Sequence, residues 1–476
     1  MGKEKRKNLQ IFVWFLIAAA ILLIKYSGCS PAYFTNTWVD TNANMTVGKS
    51  ILDGIVPYKD LFEQRGPWLY FINAFCSLFK AGNPFFGVYL YEVLCGGVFL
   101  YFCWKTILVF SRKSADIFVI TSPLYFWLLL QETSFGGGGS PEELCLPALM
   151  CSLFLLIRSI HQKKLLTFRE GILIGICAGY VFWIKYNMMG FFAGAAIAFL
   201  IGYGMKSEWK QIGRVLLGVI CGIEIMTVPV LLYYGWNHAL PDLFRVYFYD
   251  NIFYYTYDRR ILYKLYFSAI HIIDSIKANR LMWMMTIAGG IFCLICLKEK
   301  FLVLFFLITG ALHVIFVYQG GQPYPYYGYS FAIYSATGYL WLNRLTCPDK
   351  AGKIISATAM ALCIIPAWKA ISAHLKSDRN DLVQYRFTDE MGPDATLLNY
   401  FHIDIGFYNA GSLIPPVYYS WDGNLMGDEI REVQDQYIQD RKTEYIVSQE
   451  ELPSDLLMDN YRLIDEYDDL FLYQRK

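Results

Sequence analysis

Between Asp53 and Phe71 the chain reads DGIVPYKDLFEQRGPWLYF, crowding Lys59, Asp60, Glu63 and Arg65 into seven residues of an otherwise apolar neighbourhood. Asp40 stands nineteen residues before Lys59. A carboxylate held beside a reacting hydroxyl removes its proton. Arg and Lys hold anions, Arg through a planar fork and Lys as a point charge. Both residue types recur further on. Glu132, Glu142 and Glu143 flank a Gly-rich FGGGGSPEE, and Lys185 and Asn187 fall in or next to FWIKYN. Asp250, Asp258, Arg259 and Arg260 lie in a Tyr-rich stretch, and QGGQPYPYYGY covers Gln319–Tyr329. Glu92 and His313 interrupt apolar runs.

Each residue also has a plainer reading. Loop charges are ordinarily just solvated. Lys185 is long enough to snorkel, Glu224 suits a hydrogen bond between helices, and Tyr-rich loops form interfacial belts. Phosphate loops, HExxH and GxSxG are absent. FGGGGSPEE lacks the Lys-Ser/Thr of a phosphate loop. The six histidines have no metal-spaced partners, and Cys293 and Cys296 suit helix packing. The need for a divalent metal is left open.

The elements that must carry these residues are membrane helices. Of the 476 residues 56% are hydrophobic and only 17% charged, against about a quarter charged in soluble domains. Mean hydropathy is +0.34. A net charge of +1 argues against nucleic acid as a partner. Most of the twelve cysteines sit inside apolar runs as small hydrophobes. KEKRK ahead of Ile11–Ile24 reads as a retained signal anchor.

Eleven segments are apolar enough to span: 9–27, 85–110, 115–131, 142–160, 170–186, 188–205, 211–234, 278–297, 300–318, 325–344 and 353–372. With the N-terminus in the cytoplasm, Lys and Arg collect in the inner segments. The outer loops 131–141 and 319–323 carry none, and Lys185 is the exception. The expected fold is an all-α polytopic membrane protein over residues 1–372. Its first extracytoplasmic loop, 28–83, holds interfacial helices at 41–53 and 67–80. The stretch 235–277 is expected as a long outer loop. Residues 373–476 are expected as a small extracytoplasmic α/β domain. TEYIVS and DLFLYQR are its strands, and Ile430, Val433 and Tyr437 form one face of its helix.

Taken in order, the motifs resemble those of the GT-C superfamily of polyprenyl-phosphate-sugar-dependent glycosyltransferases, over roughly residues 1–345. Within it the chain resembles bacterial members similar to the protein mannosyltransferase and aminoarabinose transferase group. Asp40 follows the first helix, and GIVPYKDLFEQRGPWLYF resembles the family's G-x-x-P-Y-x-D with the element after it. GGGGSPEELCLP, FWIKYN and QPYPYYGYSF match later motifs. Thr41 follows Asp40 where many relatives have Asp-Glu, and Gly66-Pro67 replaces Pro-Pro.

The resemblance implies a multi-pass cell-membrane enzyme. It would move a sugar, with inversion, from a lipid-linked donor to an exported glycan, lipid or protein. It implies Asp40 as base, with Glu63 or Glu142 as the second acidic group. Arg65 or Lys185 would meet the donor phosphate, with Arg259 and Arg260 in reserve. Tyr58, Asp60, Asn187, His313, Gln322, Tyr326 and Tyr327 would line the substrates. A flippase for lipid-linked sugars and a non-catalytic envelope scaffold are the rival classes.

Overall fold

The structure, a computed structural model, describes residues 2–204, 209–255, 260–345, 347–400, 402–423 and 427–476. Its first nine α-helices are α1 (Lys3–Tyr26), α2 (Val39–Leu52), α3 (Pro67–Cys76), α4 (Phe86–Phe110), α5 (Arg112–Gln131), α6 (Pro141–His161), α7 (Phe168–Lys185), α8 (Gly190–Gly204) and α9 (Trp209–Trp236). The chain divides into two compact units. One comprises Met1–Tyr26, Leu90–Pro229 and Tyr257–Lys369, the other Ser27–Tyr89, Val230–Thr256 and Ala370–Lys476.

Among the described residues, nine helices are long and apolar enough to cross a membrane. The count differs from the eleven expected segments at two places. Phe168–Gly202 counts as one run, although a 3₁₀ turn at Tyr186–Met189 separates α7 from α8. The segment 325–344 winds as 3₁₀ at Pro325–Phe331 and Ala336–Arg344 around a single α turn, so no one helix there reaches spanning length. The expected outer loop 235–277 in fact holds an 18-residue helix, Ile261–Ala278.

In the first unit, glycines let backbones touch. A Cβ on Gly175 would sit 2.1 Å from the Val219 carbonyl oxygen, and one on Gly222 2.2 Å from that of Ile172. Helices α7 and α9 therefore meet through a small-residue stripe of the kind membrane helices use. Ser140 starts α6 by accepting the Glu143 amide at 3.0 Å, with Pro141 behind it.

The second unit holds α2 against α3. Both lie where interfacial helices were expected, with α2 beginning two residues early and α3 ending at Cys76. The C-terminal part folds as a four-stranded sheet of order β1-β2-β4-β3: β1 (Leu397–Asn399), β2 (Tyr445–Ser448), β3 (Tyr461–Tyr467) and β4 (Leu470–Arg475). β1 and β2 are parallel, joined through the helix Gly427–Gln439, and the other pairs are antiparallel. That helix buries Ile430, as expected, with Gln434 and Ile438, while Val433 and Tyr437 are half-buried. Ile438 joins Leu398, Ile446 and Tyr473 in the core, and Tyr437 packs against the same cluster.

Candidate active site

In the second unit, Arg65 joins two carboxylates that the sequence keeps apart. One guanidinium nitrogen lies 2.6 Å from Asp40 Oδ1 and the other 2.7 Å from Glu63 Oε1. All three side chains are nearly inaccessible, at 13%, 7% and 6% exposure. Asp40 sits in the first turn of α2 without capping it; the cap position is Trp38, which gives no side-chain bond. One oxygen of its carboxylate pairs with Arg65 instead. The group formally keeps one negative charge over, and a buried charge needs partners.

The surrounding wall supplies them. The Gln64 amide donates to Glu63 Oε1 at 2.9 Å and the Trp421 indole N–H to Oε2 at 3.4 Å. The Arg65 amide donates to the Tyr70 hydroxyl at 2.9 Å, and the Tyr58 hydroxyl donates to the Arg65 carbonyl. Burial raises the pKa of both phenols well above the ordinary value, so both stay protonated. Tyr58 adopts φ 70°, unusual for a residue with a side chain. Its ring stacks on Tyr234 at 5.4 Å. Asp60, by contrast, accepts the Val56 amide at 2.8 Å and closes its own exposed turn, so it stands apart from the group.

The first unit gathers a different set. Lys185 Nζ lies 2.5 Å from Glu142 Oε1 and 3.9 Å from the centre of the Tyr327 ring, with Tyr326 at 5.1 Å. An ammonium over aromatic faces gains cation–π attraction as well as the ion pair. Chain geometry makes this meeting. Lys185 ends α7, and Tyr326 and Tyr327 begin the 3₁₀ segment. Glu142 occupies the first turn of α6, where the helix dipole favours a carboxylate.

Gly136, Gly137, Gly138 and Gly139 all have positive φ, from 74° to 98°. The tetraglycine thus serves a left-handed loop that side chains disfavour. The loop delivers the Gly139 amide to both Glu92 Oε1, at 2.7 Å, and Glu143 Oε2, at 3.1 Å.

The remaining expected residues scatter. His313 is fully buried among Phe331, Tyr334 and Phe191, a core histidine. Asn187 is half-buried and donates to the Val317 carbonyl at 3.4 Å. Gln322 is half-buried in the loop ahead of Tyr326. Arg260 is exposed over its neighbour Tyr263, and Arg259 lies outside the described residues. No group of three or more potential metal-binding side chains occurs among the described residues.

Also in the first unit is a cleft of about 520 Å³ with almost wholly apolar walls, among them Trp283, Phe306, Val314, Phe331 and Tyr334. The 3₁₀ segment that offers Tyr326 and Tyr327 to Lys185 also contributes Phe331 to this cleft.

Residues 67–233 match the family of dolichyl-phosphate-mannose-protein mannosyltransferases. No curated protein sequence matches. Among solved structures, the chain is similar to ArnT from Cupriavidus metallidurans bound to undecaprenyl phosphate. The TM-score is 0.65 at 10% identity, over 98% of this chain and 97% of that one. For the apo state of the same protein the TM-score is 0.64 at 11% identity, over 99% and 98%.

Proposed function

The chain has the GT-C glycosyltransferase fold, and from that premise we propose that it is a membrane glycosyltransferase. It moves a sugar from a polyprenyl-phosphate donor to an exported cell-envelope acceptor, with inversion. The observation that carries this reading is the buried Asp40–Arg65–Glu63 group, set in a fold shared with a protein solved on a lipid phosphate.

Asp40 is the general base. A sugar hydroxyl is a weak nucleophile at neutral pH, and removing its proton as it attacks the anomeric carbon is worth roughly 10²–10⁴-fold. Arg65 fixes the direction of the Asp40 carboxylate by gripping Glu63 at the same time. That double grip reassigns Arg65 from phosphate ligand to positioning group. Lys185 then meets the donor phosphate, leaving Glu142 as the phosphate takes its place, while Tyr326 and Tyr327 stay against the ammonium. The isoprenoid enters the apolar cleft, which shares a 3₁₀ segment with that phosphate site. The N-terminus lies in the cytoplasm and residues 373–476 outside, as the loop charges suggest.

The test is transfer of labelled sugar from a polyprenyl-phosphate donor by purified protein. Turnover is expected. Movement of the lipid across vesicles without transfer would instead identify a flippase, and neither activity a scaffold.

A further inference from the structure

In the second unit, the segment 404–421 packs around the Asp40–Arg65–Glu63 group, touching Glu63 directly and reaching Asp40 only through α2. On one side it grips α2 just past Asp40. Thr46 Oγ1 donates to Asp404 Oδ2 at 2.7 Å, and Asn409 donates to the Asn42 carbonyl at 3.1 Å. Gly406, at φ 109°, comes so close that a Cβ would sit 2.7 Å from Asn42 Oδ1. On the other side it holds the strip 58–63. The Phe62 amide donates to the Tyr418 carbonyl at 2.9 Å, the Tyr418 hydroxyl to the Tyr58 carbonyl at 3.1 Å, and the Trp421 indole to Glu63.

Both grips trace back to the sheet. The Asn399 amide donates to the Ser420 carbonyl at 2.9 Å, and the buried Tyr408 hydroxyl bonds the Leu397 and Ser420 carbonyls. Trp421 is 2% exposed, with its ring 5.7 Å from that of Tyr408. A continuous path therefore runs from β1 through Ser420 and Trp421 to Glu63, Arg65 and Asp40.

We propose that the segment 404–421 is part of the catalytic apparatus, Trp421 and Asp404 being positioning residues that hold Glu63, Arg65 and Asp40 in register. This rests on the transferase reading above. Glu63 and Asp40 share one guanidinium. Without the indole N–H, Glu63 draws harder on Arg65, and Asp40 loses its fixed direction. A hydrogen bond to a charged group, once removed, commonly costs about tenfold in an equilibrium or a rate.

Trp421→Phe keeps an aromatic ring against Tyr408 and removes only the donor. Leu456→Ala is the control, because Leu456 packs on the same sheet core and lies outside the segment 404–421. The expected result for Trp421→Phe is transfer slowed about tenfold with the donor KM unchanged. Its acid pH limb should move up, and the amides of residues 62–65 should exchange hydrogen severalfold faster. Leu456→Ala should lower the melting temperature alone.

Wild-type rate, pH limb and exchange in Trp421→Phe would overturn the proposal. So would a rate loss that merely follows melting temperature in both variants. The exchange arm needs no turnover. If wild type transfers nothing, the transferase reading fails, while faster exchange at 62–65 still supports the contact and unchanged exchange overturns it.

Discussion

Arg65 is the residue on which the carboxylate group turns. Its two ion pairs, at 2.6 and 2.7 Å, leave Asp40 and Glu63 no independent orientation. A lysine at that position keeps the charge and loses the fork, so it can serve only one carboxylate well. Arg65→Lys should therefore lower kcat by roughly tenfold or more with little change in the donor KM. Lys185→Ala should do the opposite, raising the donor KM with a smaller effect on kcat. Steady-state kinetics over a donor series separates the two, and equal KM effects would return Arg65 to the phosphate. The sequence marked Asp40, Glu63 and Arg65 one by one. It gave no sign that Arg65 would be shared, because a side-chain fork bridging residues 40 and 63 depends on how α2 meets the following strip. Trp421 and Asp404 were hidden for the same reason, lying more than 350 residues away from the groups they touch.

Helix α2 is where the second unit's charges meet burial. Asp404 is fully buried against it, and the loss of water raises its carboxyl to about 6, against the effects of Thr46, the Gly406 amide and Lys49. Glu63 adds to the upward push. Lys49, pushed down to about 7 by burial, donates to the Tyr408 carbonyl at 2.5 Å. A carboxyl with a raised folded-state pKa favours folding while protonated. Its contribution is complete below about pH 4 and is lost as pH rises to about 6. The Lys49 effect falls above 7 and so outside that window. Asp404→Asn is neutral throughout. Its melting temperature relative to wild type should climb between pH 4 and 6 and then level off, whereas parallel curves would remove Asp404 from that role. Periodicity revealed the long helices well, since apolar runs of this length have few alternatives. It missed the 3₁₀ winding of 325–344, because the apolar content that marks a span is the same for either helix type. The tetraglycine lacks the Lys-Ser/Thr of a phosphate loop. Its positive φ values assign it to a turn that lends one amide to Glu92 and Glu143.

For the molecule as a whole, nine helices among the described residues suit a bilayer, and loop charge sets the proposed direction. Lysines and arginines collect in the short inner segments, while the short outer loops 131–141 and 319–323 hold none. A reporter fused after Lys476 and active only outside the cytoplasm should therefore be active, and a signal from a cytoplasm-only reporter would invert the arrangement. The fold was legible because apolar runs of spanning length can be read from the sequence directly, even where a solved structure of the same fold shares only 10% identity. The sugar and acceptor were not, because they depend on a few side chains around the site. The most direct measurement compares purified wild type with Asp40→Asn for transfer of labelled sugar from a polyprenyl-phosphate donor. Asn can still accept a bond from Arg65 but cannot take a proton, and Asp40 caps no helix, so the variant should fold normally. The expected result is wild-type turnover, a loss of roughly two or more orders of magnitude in Asp40→Asn, and donor binding retained. Near-normal turnover in Asp40→Asn would contradict the assignment and move the base to Glu63 or Glu142.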